Sequence, residues 1–486
     1  MNIDNIFLAA EDCPPNEFER YHLFVEHDER LIRALMAHGP VLIRGGRGAG
    51  KSALMLEATR RISNSNTSIG VYVSLRYLPL LRTTGVEYLT HFAKLTSIEI
   101  SKNLRASFGR DFPVCLSIES LKDALSDLAR SSGRRIVLLF DDAAHIGRES
   151  SLDEFFDSFR MLSSSDVSCK ASIYPGVTKF GVRFDVYNDA TVLDISKDER
   201  APNFNEFFFQ VLNKRNPTLS LSLGAFSSLT ATEVVGFIAR AVLGNMRAFI
   251  IASDKLQEQG KFEGIPSLRA LLMTMAGDYF WPLLDEVRPK LGIYEPMADV
   301  CQTLAEQLFD FAGVSGTASI VIKREICQSI AKPIEILEYL GFISKREASR
   351  AVPGGGRGPR YSLNLATLLE RTKTKQLSNV LVNSWLNDHN EVLFLSGTSN
   401  VINVVMPNLV AANDLTVFTL PVQKLEKSNT YPYGLTEDKI HRLETSGFET
   451  IGALAQATDD ELDAIPLIGD VWVRRIRDVV NQSIWM

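Results

Sequence analysis

The chain has 486 residues, of which 45% are apolar and 23% charged, and a formal net charge of −6. That length predicts two to four domains of ordinary globular composition. No apolar run approaches the roughly 20 residues of a membrane helix, so no membrane span is expected, and in an acidic chain any nucleic-acid binding must come from a local basic surface. The five cysteines, Cys13, Cys115, Cys169, Cys301 and Cys327, are scattered and form no C-x-x-C pair. That pattern argues against a disulfide framework or a zinc site and makes a reducing cytoplasm the simplest home. The N-terminal residues lack a basic stretch followed by an apolar one, so no signal peptide is apparent.

Residues 1–23 are polar and yield no element. From about Asp28 the chain reads as a helix, with Leu31, Ile32, Leu35 and Met36 on one face and Gly39 as its C-terminal cap. Val41, Leu42 and Ile43 make a short buried strand. It runs into Gly45-Gly46-Arg47-Gly48-Ala49-Gly50-Lys51-Ser52-Ala53, which fits the spacing G-x-x-x-x-G-K-[ST] and opens a helix. Glycines let backbone N–H groups wrap a phosphate, and the helix N-terminus adds partial positive charge. Lys51 is expected to reach the β- and γ-phosphates, and the Ser52 hydroxyl to bind Mg²⁺. ATP and Mg²⁺ are therefore the expected cofactors.

Ile69–Leu75 reads as a second strand, and residues 86–107 and 117–131 as helices. Ile136 to Phe140 is an unbroken apolar run, the mark of a strand buried on both faces. Asp141 and Asp142 stand at its C-terminal end, where ligands lie in an open α/β sheet. Asp141 is expected to hold the Mg²⁺ water shell and Asp142 to polarise or position the attacking water. A helix over 152–162 and a strand over 168–174 follow. If that strand neighbours the other two, Thr178 is a candidate to sense the γ-phosphate, with a simple turn as the other reading. Arg183 is a candidate finger toward a neighbouring subunit, or a solvated charge. Thr191–Ile195 is a fifth strand, and the alternation predicts a parallel, doubly wound sheet.

Residues 203–215, 228–258 and 265–312 read as helices, with a junction at Gly244-Asn245. From 319 the order becomes helix, helix, strand, glycine-rich tip at Val352–Pro359, strand, which is the order of a winged helix. Residues 320–373 carry ten Lys or Arg against five Glu. That excess suits phosphate-backbone contact; packing on the neighbouring domain is the other reading. Residues 374–433 are the least readable, with strands suggested at Glu391–Leu395 and Leu415–Leu420 and an ambiguous stretch at Asn400–Val405. The tail, 434–486, reads as a small helical module in which Ile465–Asp470 turns tightly into a last helix. It holds five Lys or Arg against ten Asp or Glu, the basic spot being Arg474, Arg475 and Arg477, so DNA and protein docking stand equal.

The set Gly45 to Ser52, Ile136 to Asp142 and Gly244-Asn-Met-Arg247 resembles the AAA+ and related STAND ATPases, and within them the origin-recognition type, where a winged helix follows the lid. The resemblance covers about residues 20–370 and implies that the lid arginine, Arg247, contacts the γ-phosphate. Typical AAA+ strands end in Asp-Glu, whereas this one ends in Asp141-Asp142, as in STAND switches, which implies slow turnover. The tail resembles helix-hairpin-helix modules, including the C-terminal domain of the bacterial RNA polymerase α subunit, although Leu467 stands where the hairpin usually has its first glycine; Gly469 matches the second.

The expected fold class is α/β. A P-loop ATPase domain (1–200) would be followed by a helical lid (201–315), a winged helix (316–373), an unassigned segment (374–433) and an all-α helix-hairpin-helix module (434–486). The expected function is an ATP-controlled DNA-binding switch that hydrolyses slowly, with a homo-oligomer as a candidate assembly. The alternative is a protein-interaction switch in bacterial defence or signalling, whose C-terminal module recruits a separate effector.

Overall fold

The structure, a computed structural model, describes residues 10–75, 85–144, 152–177, 180–181, 183–223, 229–387, 390–396, 401–409, 416–427 and 434–485. Five strands, β1 (Val41–Arg44), β2 (Ser68–Ser74), β3 (Arg135–Ala144), β4 (Val167–Ile173) and β5 (Thr191–Asp194), form one parallel sheet in the order β2-β3-β4-β1-β5. β4 pairs with both the loop strand β1 and the acid strand β3, Leu42 opposite Ala171 and Phe140 opposite Ala171. The C-terminal ends of all three therefore open on one place.

Both faces of this sheet are covered, which is why its strands read as apolar runs rather than as alternation. On one face, Leu31, Ile32 and Leu35 of the Glu26–Met36 helix and Leu54, Met55 and Ala58 of the Lys51–Ser63 helix pack on Val41, Ile43, Val137 and Leu139. On the other, the Gly85–Phe108, Ile118–Ser132 and Leu152–Leu162 helices bring Phe92, Leu121, Leu125, Phe155 and Phe159 onto Leu138 and Phe140. Ser117 caps the second of these, its hydroxyl accepting from Ser120 N at 3.2 Å.

The lid is helical, with Phe204–Arg215, Pro217–Leu223, Ala231–Ala241 and Met246–Glu258, followed by Ile265–Met275, Trp281–Val287 and Met297–Gly313. The Gly244-Asn245 junction falls where expected, and Asn245 caps the helix that carries Arg247, its Oδ1 accepting from Ala248 N at 3.1 Å.

The winged helix holds the helices Arg324–Ser329 and Ala331–Leu340 and a sheet of β6 (Ser319–Ile322), β7 (Ile343–Ala351), β8 (Arg357–Leu363) and β9 (Leu393–Leu395), ordered β7-β8-β6-β9. Its β7–β8 tip uses Gly354, Gly355 and Gly356, all at positive φ, a conformation that disfavours a Cβ. β9 lies beyond the expected end of this unit and pairs parallel with β6. Its hydrophobic residues merge with those of the lid and the sheet in one core running from Leu42 to Leu395.

The C-terminal module has a separate core, in which Leu443, Leu454, Leu462, Ile476 and Val479 of its helices meet. Those helices are Glu437–Thr445, Ile451–Gln456, Asp459–Asp463 and Asp470–Trp485. Thr458 and Glu461 form a capping box.

Two local expectations are corrected. The first helix stops at Met36 with Ala37 extended, so Gly39 is not its cap. Within the stretch read as a Leu415–Leu420 strand, Thr416–Thr419 is a single 3-10 turn whose Val417 fills the module core, and burial of that one side chain wins over β propensity. Residues 401–409 form neither helix nor strand. Among the described residues no helix is long and apolar enough to cross a membrane.

Candidate functional site

Gly48 (φ 77°) and Gly50 (φ 100°) take left-handed backbone, which turns the chain from β1 into the Lys51–Ser63 helix. The loop is then touched from three sides. A Cβ on Gly45 would come within 2.6 Å of Ile195 beyond β5, and one on Gly48 within 2.6 Å of Arg247 Cβ in the lid. A Cβ on Gly46 would stand 3.3 Å from the Glu338 carbonyl oxygen of the winged helix. Hydrogen bonds tie the same surfaces together. Arg247 N donates to Gly48 O at 3.1 Å, Asn245 Nδ2 to Arg47 O at 2.5 Å, and Arg47 N to Tyr339 O at 3.1 Å. The glycines thus serve domain contact as well as phosphate access.

Lys51 is buried. Its ammonium donates to Gly45 O at 2.8 Å and Gly46 O at 3.1 Å and stands 3.6 Å from the centre of the Tyr174 ring. Burial lowers its pKa to about 8, with Asp142 and Asp141 opposing that shift. Ser52 and Ala53, half-buried in the first turn of the helix, line the same cavity as Gly48, Lys51, Asp142 and Arg247.

Asp141 is fully buried at the end of β3. Its Oδ1 accepts from Ser172 Oγ at 2.5 Å and its Oδ2 lies 2.7 Å from the Tyr72 hydroxyl. Asp142 sits at φ 53°, a left-handed conformation unusual for a residue with a side chain, where the β3–β4 register breaks. Its Oδ1 accepts from the Tyr174 hydroxyl at 3.0 Å. β4 does neighbour both other strands, the condition on which Thr178 was singled out. Thr178 itself lies outside the described residues, and the group at that strand end is Tyr174. Arg183 is exposed, its carbonyl accepting from Arg160.

Sequence reasoning missed four contributors, Glu286, Tyr174, Tyr339 and Glu11. Arg47 of the loop pairs with Glu286 at 3.0 Å, both nearly buried. Burial alone would raise the Glu286 pKa, but the Arg47 and Lys290 charges outweigh it and hold the carboxyl at about 2. Tyr174 and Tyr339 meet edge to face at 5.0 Å beside Lys51. Glu11, from the polar stretch that yielded no element, brings its carboxylate within 4.8 Å of those of Asp141 and Asp142. A divalent cation takes such hard oxygen donors, so the set fits Mg²⁺.

The basic excess of the winged helix is partly spent inside the fold. Arg346 pairs with Glu199 at 2.6 Å, Arg200 with Glu347 at 2.7 Å and Arg360 with Glu347 at 3.1 Å. The Ala331–Leu340 helix has no exposed residue, because it packs beside the phosphate loop and donates from Lys332 to Gly176 O at 3.0 Å.

A parallel sheet bearing this loop, an acid strand one strand removed and a helical lid seated on the loop are the parts of a P-loop nucleotide site. No family model matches the chain. It is 23% identical over 339 residues to an ORC1-type DNA replication protein of Thermoplasma acidophilum, covering 66% of this chain and 93% of that one. Two solved structures are more loosely similar. A Walker-type ATPase of Pyrococcus abyssi overlaps at 15% identity and TM-score 0.43 (71% of this chain, 94% of the other). Cdc6p of Pyrobaculum aerophilum overlaps at 14% identity and TM-score 0.34 (76% and 96%).

Proposed function

We propose that the protein is an ATP-driven switch that controls DNA binding, hydrolysing its nucleotide slowly. The observation that carries this reading is the seat of the phosphate loop: Asn245 and Arg247 of the lid and Tyr339 of the winged helix all bond to it. A phosphate entering the loop must draw on the N–H groups and on Lys51, and so bears on both neighbours at once. In this reading Gly45 to Ala53 hold the phosphates, Lys51 and Arg247 meet the γ-phosphate, and Ser52 and Asp141 would hold Mg²⁺. Asp142 would orient the water. Its strained backbone and its bond to Tyr174 favour slow turnover, since the carboxylate must first be released. The resemblance to a replication protein makes replication initiation the natural setting.

The test is DNA affinity with ATP, with ADP and without nucleotide, each at two salt concentrations. At least about a five-fold difference between nucleotide states is expected, falling with salt and lost in Lys51→Ala. Equal affinity in every state and in the variant would overturn the reading. One observation favours a protein partner for the C-terminal module instead. Leu467 and Val471 at its hairpin are 72% and 79% exposed, on a module whose charge is net acidic. If the full chain binds no DNA in any nucleotide state, the protein-recruiting switch becomes the better account.

A further inference from the structure

The Ala10–Asp12 turn lies far from β2 and β3 in sequence yet delivers Glu11 to their C-terminal ends. The Tyr72 hydroxyl, on β2, lies 2.5 Å from Glu11 Oε1 and 2.7 Å from Asp141 Oδ2. A phenol carries one hydrogen, and ionised carboxylates only accept. One of these two contacts therefore needs positive charge from elsewhere, a shared proton or a cation, and the Asp142 carboxylate is packed into the same space.

A second observation is independent of the acids. Ser74 is paired in register with Asp141, so it shares a sheet face with Asp141 and, two residues back, with Tyr72. Ser74 is only 7% exposed, and its Oγ has no hydrogen-bond partner among the described residues. A buried hydroxyl left unpaired beside Asp141 costs about 1–3 kcal/mol unless something arrives to bond it. A hydrated divalent cation supplies both charge and hydrogen-bonding water there.

We infer that Glu11 is a third carboxylate of the divalent-cation site, so that the N-terminal segment, and not the acid strand alone, completes the metal centre. This rests on the nucleotide-switch reading and deepens it. Glu11 supplies the charge and reach that a glutamate after Asp141 would otherwise give, since the residue actually there, Asp142, is short and is held by Tyr174. It acts by holding the cation's water shell and is a positioning residue for the nucleotide.

The experiment titrates Mn²⁺ into the full chain saturated with a non-hydrolysable ATP analogue and follows free Mn²⁺ by electron paramagnetic resonance. Glu11→Gln, which keeps the side-chain shape and removes the charge, is expected to weaken Mn²⁺ by about ten-fold but, with one repelling carboxylate fewer beside the phosphates, not to weaken analogue binding in EDTA. Glu11→Asp should fall between Glu11→Gln and the unmutated protein, and it carries the test if Glu11→Gln does not fold. Mn²⁺ affinity equal to the unmutated protein in both variants would overturn the inference and leave the switch reading standing. Failure of the unmutated protein to bind the analogue at all would overturn both.

Discussion

The sheet, the lid and the winged helix differ from the C-terminal module in how they are joined. The first three share one continuous core from Leu42 to Leu395, stitched by ion pairs such as Arg346–Glu199 and Arg47–Glu286. The module keeps its own core from Val417 to Val480, and among the described residues the Thr416 hydroxyl donates to Glu295 of the lid. A change at the phosphate loop therefore reaches the winged helix through packed side chains, which transmit displacement because interiors are dense and barely compressible. The module receives no comparable push. It is built to be carried, or to bind by itself.

The strongest way to break this contrast is Tyr339→Ala. The ring is 1% exposed and packs on Tyr174, so its loss should cost about 3–5 kcal/mol and weaken nucleotide binding together with it. Calorimetry with and without ATP reads both. If stability falls while nucleotide affinity holds, the winged helix is not coupled to the loop.

Leu443→Ala makes the opposite cut. Leu443 is fully buried in the module, and the change should destabilise it by about 2–5 kcal/mol. The melting of the ATPase body and its nucleotide affinity should not move, giving two separate transitions. One merged transition shifted as a whole would join the two cores that the structure separates.

A smaller effect sharpens the account of the body. Asp254, on the Met246–Glu258 helix, is pushed up to about 6 by burial, partly offset by Arg215. A raised carboxyl favours the folded state only while protonated. Its contribution is present below the ordinary value near 4 and is lost as pH rises through 6. Asp254→Asn should thus stabilise the protein by about 1–3 kcal/mol at pH 8 and by nothing near pH 3.5. A gain that does not depend on pH would mean that the carboxylate pays no burial penalty.

How much of this was legible follows from the range of the interactions. The glycine loop, the Ile136–Phe140 strand and its two aspartates are local patterns, and chain spacing alone carries them. The lid junction at Gly244-Asn245 was legible for the same reason. What the pattern could not carry was contact across the chain. Glu11 sits in a stretch with no periodicity, and Tyr72 looks like any strand tyrosine; the β2–β3 pairing brings Tyr72 to Asp141, and Glu11 joins them through the Tyr72 hydroxyl. The basic count over 320–373 suffered likewise. It weighed Arg346 as surface charge, yet the side chain is buried and pairs with Glu199, from outside the segment. A sum over a segment says nothing about which charges meet partners from outside it.

The strand order has a consequence in time as well as in space. β1 lies between β4 and β5, its partners on both edges. A ribosome must add well over a hundred residues after Val41–Arg44 before either neighbour exists. At about 5–20 residues per second, the strand that leads into the phosphate loop waits roughly 6–25 s, apolar and unpaired. During synthesis this is the segment most exposed to wrong partners, and the one for which a chaperone would matter first.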